Sequence, residues 1–155
     1  MASSNSNSPL PPSSYPGERL KLPRTGPGSV VRPGRRIVAL LIDWWMASLI
    51  VTLVVRPVPA GASDSQFVAA MQQQSIMTLA LFVALQIVAI AIIGGSIGHR
   101  LLGCYVAPLA GGWVGLWRPV VRSLLLALVV PAIVWDSDQR GFHDKVARTV
   151  LLRTK

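Results

Sequence analysis

One aspartate stands in the middle of an apolar run. Asp43 is the single charged residue between Ile37 and Val55, a stretch of 19 residues. A carboxylate at the centre of a membrane helix costs about 2.5–3.5 kcal/mol on insertion scales, so an acid placed there demands a reason. Arg36 precedes it by seven residues, nearly two helical turns, which puts both on one face about 10 Å apart. That is too far for a direct pair, and the Arg36 guanidinium is expected to reach back to the membrane interface. The neighbouring turns offer Ala39, Leu40, Met46 and Ala47, none of them basic. The partner of Asp43 must therefore come from another segment, or the acid is protonated. Arg122, which enters a later apolar stretch at comparable depth, is the candidate. Two readings follow: a proton or cation site, or a buried interhelical ion pair that fixes packing.

The remaining chemistry-bearing residues exclude more than they suggest. His99, His143 and Cys104 have no further His or Cys at ligand spacing, so no zinc site is expected. Asp136-Ser137-Asp138 opens like a calcium loop but fails, with Arg140 and Ala147 where oxygen ligands belong. No nucleophile motif, glycine-rich phosphate loop or paired carboxylates occur. The expectation is a protein that is not an enzyme and has no metal or cofactor. Gly94 and Gly98 form a small-xxx-small pair, read first as helix termination and second as a site of close helix approach. Gly111 and Gly115 read as turn residues.

The elements that must position these residues are membrane helices. Charged residues make up 14% of the 155-residue chain, and a second run, Ser75 to Ile93, has 19 residues and no charge. Each run would form a helix of about 28 Å, matching a hydrocarbon core of about 30 Å. The net charge of +9 comes from arginines and lysines flanking these runs, where they orient the protein and attract anionic lipid head groups. With no recognition helix or aromatic RNA-binding motif beside them, nucleic acid is not an expected partner.

Residues 1–34 hold seven prolines and seven serines and no apolar periodicity; such a tail is expected to stay disordered. The membrane domain then covers 35–152. Its first helix runs from about Arg35 to Val55, stopped by Arg56-Pro57-Val58-Pro59. Ser63 and Gln66 have capping-box spacing, so the second helix begins before its apolar part, and Gly94-Gly95 end it. The N-terminal side carries six basic residues, counting Arg35 and Arg36 at the start of the first helix, and only Arg56 lies between the two helices, which places the N-terminus in the cytoplasm. A third apolar stretch, Pro119 to Trp135, is broken by Arg122; it is expected as a short or tilted third span, with the side of the C-terminus left open. The fold class is thus all-α: a small transmembrane bundle of two spans plus a short third, in the inner (plasma) membrane.

Taken in order, these segments resemble the RDD family of membrane proteins. Arg36-Ile-Val-Ala-Leu-Leu-Ile-Asp43 matches the arginine and first aspartate for which the family is named. Ser96-Ile-Gly98-His99-Arg100-Leu-Leu-Gly103 is similar to its Gly-Lys-Arg-Leu-Leu-Gly segment, with His99 for lysine. Arg122 stands where the family tends to open its next helix with arginine. Gln139 to Lys145, followed by Ala147-Arg148-Thr149-Val150, resembles the terminal signature and makes Asp144 the second aspartate; Arg148 replaces a usual glycine. The resemblance spans roughly 32–152 and is strongest to short actinobacterial members. It implies that Arg36, Asp43 and Asp144 matter most, supported by Arg100, Arg122 and His143. It also implies transport of an undefined ligand, cation/proton exchange among the options. The alternative is a non-catalytic membrane scaffold. So small a bundle would need a homo-oligomer or a membrane partner protein to enclose a pathway.

Overall fold

A computed structural model describes residues 13–55, 58, 61–109, 111–112, 114–128 and 142–154, with the side chains of Phe142 and His143 left out. In chain order the elements are α1 (Pro33–Val54), α2 (Asp64–Ile93), α3 (Ile97–Leu101), β1 (Cys104–Pro108), α4 (Trp117–Ala127), α5 (Phe142–Val146) and β2 (Thr149–Arg153). A single 3-10 turn, Glu18–Leu20, precedes α1.

Local signals set the helix limits. Pro33 opens α1 at a position where its missing N–H costs nothing. The capping box of α2 is complete: Gln66 N–H donates to Ser63 Oγ at 3.4 Å, and Ser63 N–H to Gln66 Oε1 at 3.0 Å. Gly94 ends α2 in the left-handed conformation, φ 68°.

The two long helices run antiparallel, as their cross-contacts show: Gln74 bonds Thr52 at 3.0 Å, Trp44 meets Phe82 edge-on at 5.5 Å, and Gln86 bonds Asp43 at 3.0 Å. Their inward faces are unusual. On α1 the buried residues are Arg36, Ala39, Asp43, Ala47 and Val51; on α2 they are Thr78, Phe82, Gln86 and Ile90. The outward face of α1 carries Leu41 (61% exposed), Trp45 (70%) and Leu53 (77%). Such helices have their polar groups inside and their oil outside. In water that arrangement would leave a large uncovered apolar surface; in lipid it satisfies every group. Among the described residues these two helices are long and apolar enough to cross a membrane.

One end of the helices carries a cap absent from the sequence expectation. β1 and β2 pair antiparallel, Val106 opposite Leu151. Gly28 to Val31 lie along the other edge of β2: Val31 N–H donates to Leu151 O at 2.9 Å, Gly28 N–H to Arg153 O at 2.9 Å. Val31, Ile90, Cys104, Val106, Val114 and Leu151 form the core beneath. The tail expected to be disordered through residue 34 therefore departs from that reading over its last part, because Val30 and Val31 supply apolar surface and the open edge of β2 supplies backbone partners. Residues 1–12 lie outside the described set.

The third apolar stretch is described in part. Among the described residues it is helical over Trp117–Ala127, about 16 Å. Residues 129–141 lie outside the described set. Arg122 near the start of α4 and Asp144 beyond that gap are bonded to each other. That bond brings α4 and α5 together at one end of the long helices.

Candidate functional site

Two buried polar centres lie at successive depths along α1. The shallower is built on Asp144, fully buried in α5. Arg36 Nη1 donates to its Oδ2 at 2.5 Å, and Arg122 Nη1 donates to its Oδ1. Arg36 also donates from Nε to Val31 O at 3.1 Å. One carboxylate therefore holds two guanidiniums, one from the start of α1 and one from α4, through charge-assisted bonds in a water-poor setting. Arg36 does not reach back to the interface as expected. The cap covers it, and a buried guanidinium requires a partner.

The deeper centre is built on Asp43, 4% exposed. Gly98 N–H donates to its Oδ1 at 2.7 Å, Gln86 Nε2 to its Oδ2 at 3.0 Å, and the Ser96 hydroxyl donates to Oδ2 as well. Behind Ser96 stands His99, 1% exposed, with Nδ1 2.5 Å from Ser96 Oγ. A consistent assignment has Nδ1–H donating to Ser96 Oγ while the hydroxyl proton points at Asp43. Imidazole, hydroxyl and carboxylate then form one continuous chain.

The fold brings these donors together through a tight turn. Gly94 breaks α2 and Ser96 caps α3, accepting from His99 N–H at 3.2 Å. That returns the first turn of α3 against α1, so its free N–H groups face Asp43. Gly98 is required there: a Cβ would overlap the carbonyl of Ala39. Both readings of the Gly94/Gly98 pair hold, one for each glycine.

Of the residues singled out in the sequence, Arg36, Arg122 and Asp144 are brought together and Asp43 stands apart. The expected Asp43–Arg122 pair is not made. Arg122 lies level with the cap and takes Asp144, while Asp43 is satisfied by neutral donors deeper in. Arg100 is exposed and belongs to neither centre; the side chain of His143 lies outside the described set. Gln86, Ser96 and the role of His99 were missed. Gln86 was detectable as the one amide in the apolar run of α2, whereas Ser96 needed the turn. Among the described residues no group of His, Cys, Asp and Glu could hold a metal ion.

A family model, the RDD family, matches residues 30–148. The chain belongs to the RDD family. Arg36, Asp43 and Asp144, the arginine and two aspartates of the resemblance, all lie within the match. No curated protein and no solved structure matches the chain. In this RDD protein the three signature residues split between two centres, one ionic and one held by neutral donors.

Proposed function

We propose that this RDD protein is a component of proton or cation transport, with Asp43 as the titrating carboxylate and Ser96 and His99 as its relay toward the cap. The observation that carries the reading is the Asp43 centre itself. A buried acid two turns inside a membrane helix has no cationic partner among the described residues, yet three neutral donors hold it ready for a charge. A purely structural acid would be cheaper as asparagine. The Arg36–Asp144–Arg122 cluster is the fixed frame against which such a site works. In this reading the protein does no covalent chemistry, sits multi-pass in the plasma membrane with the cap in the cytoplasm, and associates with copies or a membrane partner to enclose a pathway.

The test is proton flux through proteoliposomes holding the purified full chain, followed with an internal pH-sensitive dye. Asp43→Asn is expected to abolish flux at unchanged protein yield, and His99→Gln to slow it. The ionic cluster favours a second reading, a scaffold that ties cap to helices. Absent flux in the wild type, with Asp43→Asn losing stable protein, would select it.

A further inference from the structure

A separate cavity of about 520 Å³ opens beside the cap, lined by Arg35, Arg100, Leu101, Leu102, Gly103, Arg153 and Thr154. Three of these side chains are guanidiniums, and among the described residues no carboxylate lines the space. None of the three takes part in an ion pair among the described residues. Arg153 Nε is buried without a hydrogen-bond partner, a cost that a built site recovers when an anion enters. The walls are set by the fold: Thr154 N–H donates to Gly103 O at 2.8 Å, and β2 holds Arg153 opposite Cys104. Guanidiniums converging on one space suit a phosphate, which each can grip by two donors.

Position decides what kind of phosphate. Arg35 stands at the start of α1, where the apolar helix meets the cap. One turn further, Val38 is exposed, and Leu101 on the cavity wall is 70% exposed. A phosphate held by the arginines would have an uncovered apolar surface directly below it.

We infer that this cavity binds the phosphate of an anionic membrane lipid, its acyl chains lying along α1 beneath Arg35. The site lies apart from both aspartates and does not depend on Asp43 being a transport residue.

The test titrates the purified full chain, in neutral detergent, with phosphatidylglycerol, phosphatidylcholine or inorganic phosphate, and reads binding by tryptophan fluorescence and native mass spectrometry. Phosphatidylglycerol is expected to bind and phosphatidylcholine to bind much more weakly. Arg35 and Arg100 are exposed, so the double variant Arg35→Gln/Arg100→Gln keeps the core intact. Its affinity for phosphatidylglycerol should fall about 25-fold, at roughly fivefold per arginine. Arg19→Gln/Arg24→Gln, the same charge change away from the cavity, should leave it unaltered. Equal binding of phosphatidylglycerol by the Arg35/Arg100 variant and the wild type overturns the site. Inorganic phosphate competing as well as the lipid overturns the lipid as its occupant.

Discussion

Asp144 is the residue on which the most charge depends. Its carboxylate holds Arg36 and Arg122 together in a buried setting, so Asp144→Asn strands two guanidiniums at once. Removing one member of a buried pair typically costs about 3–5 kcal/mol. The expected outcome is a large drop in melting temperature in detergent, larger than for Asp43→Asn, whose neighbours are neutral. Arg148 invites the opposite experiment. It stands between α5 and β2 with φ 51°, in place of the glycine usual at this point of the family signature. A left-handed conformation costs a non-glycine residue about 1–2 kcal/mol, and glycine returns about 0.5–1 of that through unfolded-state entropy. Arg148→Gly is therefore expected to stabilise the protein by about 0.5–1 kcal/mol, read as a small upward shift in melting temperature. At this scale the sequence was largely legible. An acid in an apolar run is visible without any structure, and so is the need for a partner. Which partner was not visible, because neutral hydroxyl and backbone donors leave no charge pattern to find.

Elements carry the next constraint, and the turn from α2 to α3 carries most of it. Its two glycines do different work and should respond differently. Gly94 has left-handed φ and open space around its Cβ position, with only the end of Arg100 nearby; alanine there costs about 1–2 kcal/mol of backbone strain. Gly98 has ordinary φ but no room, since a Cβ would meet the Ala39 carbonyl backbone. Gly98→Ala must push α3 away from α1 and lengthen the Gly98 N–H bond to Asp43. Overpacking of this kind commonly costs 1–3 kcal/mol. It should also disturb whatever Asp43 does, so that flux falls in Gly98→Ala far more than in Gly94→Ala at matched stability. The long helices were legible because lipid length and low charge leave a direct trace in composition. The sheet was not. β1 is five residues ending in proline, β2 was absorbed into the terminal signature, and Val30 and Val31 sit at the end of a proline- and serine-rich segment that masks them.

Among the described residues nearly all the charge gathers at one end of two long helices, Asp64 at the start of α2 being the exception. The start of α1, the α2–α3 turn, β1, the start of α4 and the C-terminal strand all meet there, tied by the Asp144 cluster and the bonds of Val31 and Gly28 to β2. A C-terminus across the membrane from residue 30 would break every one of those contacts. Single cysteines introduced at Ser14 and at Thr154 should therefore both be labelled from one side by an impermeant thiol reagent, and the positive-inside bias predicts labelling from the cytoplasmic side. The native thiol does not confuse the reading. Cys104 is buried in the cap core, and burial pushes its thiol up, away from the reactive thiolate at neutral pH. Wild-type protein should stay unlabelled until the cap is unfolded. Labelling of residue 154 from the opposite side to residue 14 would break the Arg36–Asp144 bond on paper, and with it the shared frame on which both centres are built.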